Sequence, residues 1–242
     1  LDQVHAEGDR AHYALNLHSQ KLRCAILVRL AAMMARSLLA STFHIIAASP
    51  NIVVFISDDH TWRDSSVYGA KDIVTPHMDR LAAAGMTFHM AFAPSPSCAP
   101  SRGAMLTGLM PARNGAEANQ TQPRANIKKV PRYLQELGYE VVAFGKVGHY
   151  NHTAEYDFDH VEHTGYHEDI AIPAALEWLR SRKSSKPLCL FVGSNWPHVP
   201  WPIATEGHAP EAVSIPPTHV ETPATRRFRG KYYAAISRMD AE

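Results

Sequence analysis

Three groups of chemically reactive side chains each follow an apolar run in this sequence. They are Asp58 and Asp59 after the first run, Lys146 and His149 after the second, and His198 after the third. Adjacent carboxylates repel unless a cation lies between them, and carboxylate oxygens are ligands that Ca²⁺ and Mg²⁺ prefer, although such a pair more often caps a helix. Lysine binds anions, and histidine transfers protons near neutral pH. If the runs are parallel strands, their carboxyl ends share one edge of the sheet, and these side chains form one site there.

A cysteine lies in the segment SPSCAPSRGAMLTG, residues 95–108. Pro100 favours the first turn of a helix, which puts Cys98 at a helix N-terminus, where free N–H groups attract anions. Arg102 is four residues on, hence on the same face, and its planar guanidinium matches the oxygens of sulfate or phosphate. The segment predicts an oxyanion pocket; the alternative is that Cys98 is a small buried apolar side chain.

The composition excludes several classes of protein. The chain has 242 residues, of which 45% are hydrophobic and 19% charged, as in ordinary globular domains. A net charge of +1 gives no basic field for nucleic acid. The three cysteines, at positions 24, 98 and 189, have neither a metal-site spacing nor the even count of a disulfide framework.

Strand and helix signals alternate along the chain from residue 50. Continuous apolar runs at 51–57, 139–145 and 187–194 predict strands buried on both faces of a sheet. Helices are predicted where caps, prolines and glycines bound apolar periodicity, at 75–85 with Thr75 as N-cap, 99–109, 130–138, 172–182 and 227–242. The fold class is therefore α/β, a mainly parallel sheet between layers of helices.

Residues 1–49 form a separate leader. From Met33 on, a basic residue, an apolar stretch and small residues at 47–49 predict a signal peptide and an exported protein, periplasmic, extracellular or lysosomal. The alternative is an amphipathic helix packed on the domain. Arg29 and Arg36 interrupt the apolar stretch, so no stable membrane span is predicted. The remaining domain is 50–242.

The segment Cys98-Ala-Pro-Ser-Arg102 resembles the C-x-P-S-R signature of the type I, formylglycine-dependent sulfatases, and Thr107-Gly108 stands where their longer motif has a T-G pair. The resemblance extends in order from about Asn51 to Glu242, through NIVVFISDDH, the helix, strand and signature loop of 75–102, FGKVGHY, SNWPHVPW and YYAAISRMDAE. It implies an alkaline-phosphatase-like fold.

The resemblance implies a modified nucleophile and a metal ion. A formylglycine-generating enzyme would oxidise Cys98 to formylglycine, and a hydroxyl of its hydrate would attack sulfur. Asp58, Asp59 and the modified Cys98 would hold Ca²⁺, with Mg²⁺ as the alternative. The substrate would be a sulfated small molecule or glycan, as a sulfate ester or a sulfamate.

The resemblance also implies roles for four further side chains. Arg102 would steady the hydrate, and Lys146 and His198 would bind the sulfate or protonate the leaving group. His149 would act as the base, although His152 lies close enough in sequence to compete for that role.

The sequence departs from the family at its end. The family supplies further metal ligands and a smaller C-terminal sheet subdomain after the helix 227–242, and this sequence ends at Glu242. We therefore expect the natural protein to continue, and expect this portion to turn over little substrate. Two other functions are compatible with the motifs: a phosphonate monoester hydrolase or phosphodiesterase of the same superfamily, and a non-catalytic fragment that binds an oxyanion.

Overall fold

The computed structural model describes residues 49–167 and 169–242, so the predicted signal peptide lies outside the described residues. One sheet contains four strands, in the spatial order β1-β4-β2-β3, and every neighbouring pair is parallel. The strands are β1 Ile52–Ile56, β2 Glu140–Gly145, β3 His160–Glu162 and β4 Leu188–Gly193.

Six α-helices and three short 3₁₀ helices accompany the strands in the described part of the chain. The α-helices are α1 Pro76–Ala84, α2 Cys98–Thr107, α3 Pro111–Asn114, α4 Val130–Glu136, α5 Ala171–Ser181 and α6 Pro223–Ala241. The 3₁₀ helices are Trp62–Asp64, Ser66–Tyr68 and Tyr150–Tyr156. Among the described residues, no helix is both long and apolar enough to cross a membrane.

Helices cover both faces of the sheet, as the sequence predicts. On one face Leu106 of α2 packs with Val141 and Phe191. On the other, Ala175 of α5 packs with Phe144. Because α/β layers bury both faces of the central strands, β2 and β4 are almost wholly buried. The predicted α/β fold is confirmed.

Two local predictions are wrong. The first strand is an edge strand rather than a doubly buried one, and Val53 and Phe55 are 66% and 45% exposed. The apolar run 86–93, which the resemblance implies to be a strand, has no strand assignment, and Met86, Phe88, Met90 and Phe92 are exposed. Apolar patterning signals burial but not which strand stands at the end of a sheet, and this run pairs with no described strand.

The start of α1 is capped from the far end of the described chain. Thr75 is the N-cap residue, as predicted, but its Oγ1 lies 2.7 Å from Ser66 Oγ instead of binding the helix. The N–H groups of His77 and Met78 donate to the Asp240 carboxylate at 3.0 and 2.9 Å. A buried carboxylate of α6 therefore satisfies the free donors of α1.

Candidate functional site

The carboxyl ends of β1, β2 and β4 meet at one edge of the sheet. Lys146 N–H donates to the carbonyl oxygen of Gly193 at 2.9 Å, and Ser194 N–H donates to that of Ile56, also at 2.9 Å. Gly193 permits this approach, because a Cβ there would lie 2.2 Å from the Lys146 carbonyl carbon and oxygen. The residues that follow the three strands therefore converge.

Helix α2 begins beside this edge, and Cys98 is its first residue. The Arg102 side chain is buried and runs back across the strand ends, where its Nη1 donates to the carbonyl oxygens of Lys146 and Val147. Its Nη2 lies 3.4 Å from Asp58 Oδ1. The guanidinium thus links the start of α2 to the ends of two strands and to a carboxylate.

Lys146 stands at the centre of the site. Its side chain is fully buried, and Nζ donates to Asp58 Oδ2. The same Nζ lies 3.8 Å from Cys98 Sγ and 2.9 Å from the hydroxyl oxygen of Tyr150. A buried ammonium group that touches both the Asp58 carboxylate and the side chain of residue 98 is placed to bind an anion seated on residue 98.

The possible metal ligands form a group that differs in one member from the predicted set. Ligand atoms of Asp58, Cys98 and His198 all lie within 4.8 Å of one another. Asp59 is not in that group, but its Oδ2 lies 3.8 Å from His198 Nε2 and its side chain is 54% exposed. An oxygen donor at position 98, as in formylglycine hydrate, together with the two carboxylates, would give the oxygen set that Ca²⁺ or Mg²⁺ prefers.

The Cys98 thiol is a poor nucleophile in this environment. Burial raises its pKa, and the Asp58 charge raises it further, which outweighs the opposing effect of Lys146. Catalytic cysteines have lowered pKa values, because the thiolate is the reactive form. The raised pKa therefore argues against Cys98 as a thiolate catalyst.

We expect unmodified Cys98 to react more slowly with iodoacetamide than a free cysteine at about pH 7.5, because little thiolate is present. The rate at Cys98 is measured by mass spectrometry of the labelled peptide, over a series of pH values, in protein made without a modifying enzyme. Cys189 in the same protein is the internal control, since burial raises its pKa to about 11. If Cys98 is labelled faster than free cysteine is, the raised pKa of its thiol is contradicted.

His149 is a neutral imidazole at physiological pH. Burial lowers its pKa to about 4, and the positive charges of Lys146, His152 and Arg102 contribute to the shift. A neutral imidazole can accept a proton, which the predicted base role requires, but a pKa of about 4 makes His149 a weak base at pH 7. The buried His152 Nδ1 has no hydrogen-bond partner among the described residues.

Two residues near Cys98 were not predicted as parts of the site. The Tyr150 ring lies 4.1 Å below Lys146 Nζ, and its hydroxyl contacts the same atom. Asn119 Oδ1 accepts a hydrogen bond from Ala99 N–H at 3.4 Å, at the start of α2. Tyr150 is the last residue of the segment FGKVGHY, which could have indicated that it lies beside Lys146. Nothing in the sequence indicates the contact of Asn119 with the start of α2.

Known proteins are similar to this chain in sequence and in fold. The Sulfatase family model matches residues 50–242. An ulvan-active sulfatase of Formosa agariphila is 37% identical over 158 residues, and an N-acetylglucosamine-6-O-sulfatase of Bacteroides thetaiotaomicron is 31% identical over 174 residues. Each alignment covers 63% of this chain and 31% of the relative, so the chain spans about a third of the length of these proteins.

Solved structures of similar fold include sulfatases and a protein bound to a sulfated sugar. A protein crystallised with its substrate D-glucosamine-2-N,6-O-disulfate is 28% identical and superposes with a TM-score of 0.56, over 65% of this chain and 36% of that one. A glycosaminoglycan-metabolism sulfatase of Bacteroides thetaiotaomicron superposes with a TM-score of 0.63 at 18% identity, over 79% of this chain and 56% of that one, which supports the fold alone.

Proposed function

The chain belongs to the sulfatase family, and from that premise we propose that the protein hydrolyses sulfate esters of carbohydrates at the site around Cys98. One observation carries the proposal: the buried Lys146 ammonium group contacts the Asp58 carboxylate and lies 3.8 Å from Cys98 Sγ. This places a fixed positive charge beside the residue that the C-x-P-S-R signature marks for modification.

Residue 98 would supply the nucleophile. A formylglycine-generating enzyme, with an oxidant of its own, would convert Cys98 to the aldehyde formylglycine with loss of the sulfur, and addition of water would give the hydrate. One hydroxyl of the hydrate would attack the sulfate sulfur and displace the sugar oxygen, which leaves protonated. Loss of the proton from the other hydroxyl would then break the bond to sulfate as the aldehyde re-forms. The raised pKa of the thiol supports a precursor role. The side chain also sits at the N-terminus of α2, where backbone N–H groups favour negative charge.

The surrounding side chains would bind the sulfate and move protons. Lys146 would hold a sulfate oxygen, and Arg102 would fix the two strand ends that position Lys146. His149, neutral at pH 7, would take a proton from the hydrate. His198 lies with Asp58 and Cys98 and would donate to the leaving oxygen.

Asp58 and Asp59 would hold a divalent cation, Ca²⁺ or Mg²⁺. Such an ion, when bound, lowers the energy of negative charge that develops on a sulfate oxygen. Asp58 is buried between two cationic side chains, whereas Asp59 is largely exposed. Asp58 would therefore form the inner part of the cation site, and Asp59 would close it from the solvent side.

The substrate class rests on the relatives. Those named above act, by their names, on ulvan and on N-acetylglucosamine-6-O-sulfate groups, and one structural neighbour was solved with a disulfated glucosamine. We infer that this protein also acts on an O-sulfated sugar, and that it would meet this substrate outside the cytoplasm if the leader exports it.

Two measurements test the proposed function without depending on turnover by the 242-residue chain. The protein is co-expressed with a formylglycine-generating enzyme, and the Cys98 peptide is analysed by mass spectrometry after reaction with an aldehyde-specific hydroxylamine. We expect conversion of the thiol to an aldehyde, and binding of inorganic sulfate that a Cys98→Ala variant weakens. An unmodified thiol would overturn the nucleophile assignment.

Parallel assays with an aryl sulfate and an aryl phosphodiester separate the sulfatase from the phosphodiesterase alternative. We expect any hydrolysis to favour the sulfate. Faster hydrolysis of the phosphodiester would contradict the proposed reaction and would favour the phosphodiesterase alternative.

A further inference from the structure

A large cavity adjoins the proposed sulfate site at Asp59. It has a volume of about 850 Å³, and Asp59 lines both this cavity and the smaller one that contains Cys98. Ligand cavities in proteins have volumes of about 300–1,000 Å³, so this one is large enough for one or two sugar rings. Of the seven predicted site residues, Asp59 alone lines it.

Three aromatic side chains form one wall of the cavity. Trp201 packs against Phe228 and Tyr232 of α6, with ring centroids 6.3 and 5.6 Å apart. Trp201 Nε1 donates to the carbonyl oxygen of Pro197 at 2.8 Å, which fixes the orientation of the indole. A fixed aromatic face with little conformational entropy to lose is suited to the apolar C–H face of a pyranose.

The wall is tied to the reactive end of the site. The Tyr232 hydroxyl donates to the carbonyl oxygen of Asp59 at 2.9 Å, and Trp201 follows His198 by three residues in the same loop. A group bound on the aromatic wall is therefore held at a fixed position relative to Asp59 and His198. These connections to the candidate site distinguish the cavity from an isolated apolar surface.

The cavity lining includes two arginines and two aspartates, and one of the arginines forms no ion pair with any described residue. This arginine is Arg63, which is exposed and whose guanidinium lies 5.3 Å from the centroid of the Trp62 ring. The other guanidinium in the lining, that of Arg229, is occupied by Asp64. The lining thus offers Arg63 to an anionic substituent, such as a second sulfate or a uronate carboxylate.

We propose that this cavity binds the sugar of the substrate next to the scissile sulfate, with Trp201 and Phe228 as the ring platform and Arg63 as the ligand of a second anionic group. The proposal rests on the proposed function, and it narrows the substrate class to polyanionic carbohydrates. An uncharged aryl leaving group would fill the cavity poorly and leave Arg63 unused.

The test measures binding by titration calorimetry to the chain with unmodified Cys98, so that the probe is not consumed. The probes are inorganic sulfate, a monosulfated and a disulfated hexosamine disaccharide, and the desulfated disaccharide. We expect Trp201→Ala to weaken binding of the disulfated disaccharide by at least about tenfold and to leave sulfate affinity within about twofold. Phe228 is 56% exposed, so Phe228→Ala tests the platform with little risk to folding.

Two further variants complete the design. Tyr133→Ala removes an aromatic side chain of similar exposure, 51%, from α4 and is expected to change no affinity. Arg63→Gln is expected to weaken binding of the disulfated disaccharide more than binding of the monosulfated one. Equal affinity of wild type and both platform variants for the disulfated disaccharide would overturn the proposal.

Binding of inorganic sulfate and binding of the disaccharides report separately on the sulfate site and on the cavity. If inorganic sulfate does not bind but the desulfated disaccharide does, and Trp201→Ala weakens it, the cavity assignment stands and the sulfate site fails. If sulfate binds but Trp201→Ala and Phe228→Ala leave the affinity for the disulfated disaccharide unchanged, the cavity assignment fails and the sulfate site stands.

Discussion

Replacing Asp64 with alanine is expected to lower the free energy of unfolding by about 3–5 kcal/mol, because the change leaves a buried guanidinium without its carboxylate. Arg229 Nη2 donates to Asp64 Oδ1 at 2.6 Å and Nη1 donates to Oδ2 at 3.1 Å. Only 3% of Asp64 and 8% of Arg229 are exposed. Burial alone would lower the pKa of Arg229, but its hydrogen bonds and the charge of Asp64 raise it, which shows how strongly the carboxylate is engaged.

The measurement is urea unfolding followed by circular dichroism, with Glu206→Ala as the matched control. Glu206 also pairs with an arginine of α6, Arg238, but that pair is exposed, and exposed pairs contribute at most about 1 kcal/mol. An Asp64→Ala loss no larger than that of Glu206→Ala would show that the buried pair is not what holds α6 to the loop after Asp59.

Replacing Lys146 with methionine is expected to weaken sulfate binding by at least about tenfold and to cost about 3 kcal/mol of unfolding free energy. The methionine keeps most of the buried stem and removes the charge that contacts Asp58 and Cys98. Arg102 remains 3.4 Å from Asp58, so the carboxylate keeps one cationic partner. The loss of stability should therefore be smaller than that for Asp64→Ala.

Sulfate affinity is measured by calorimetry and stability by urea unfolding, with Lys183→Met as the control. Lys183 is exposed in the loop before β4, and its replacement should change neither quantity. If Lys146→Met binds sulfate as well as wild type does, the anion does not contact Lys146. That result would contradict the proposed sulfate site at Lys146 and Cys98.

Much of the site was predictable because it depends on local rules. The apolar runs indicate where β1, β2 and β4 end, and the carboxyl ends of parallel strands share one edge of the sheet, so Asp58, Lys146 and His198 were expected at that edge. Pro100 and Gly108 bound α2, which starts at Cys98. Gly103 within α2 weakened the helix signal; a Cβ there would lie 3.2 Å from Ala116 Cβ, a close contact that would require Ala116 to shift.

Other features depend on contacts that no local pattern encodes. The alternation of strands and helices does not give the order β1-β4-β2-β3, so the exposure of Val53 and Phe55 on the edge strand could not be foreseen. Likewise, composition and motifs suggested two aspartate ligands, whereas the fold groups His198 with Asp58 and leaves Asp59 toward solvent.

The sequence by itself determined the fold class, the edge of the sheet that carries the chemistry, and the family. Only the tertiary structure decided that Asp64 pairs with Arg229, 165 residues away, and that Trp201 and Phe228 build a cavity beside Asp59. The physical reason is separation along the chain. Periodicity and caps act over a few residues, whereas buried pairs and cavities depend on which distant surfaces pack together.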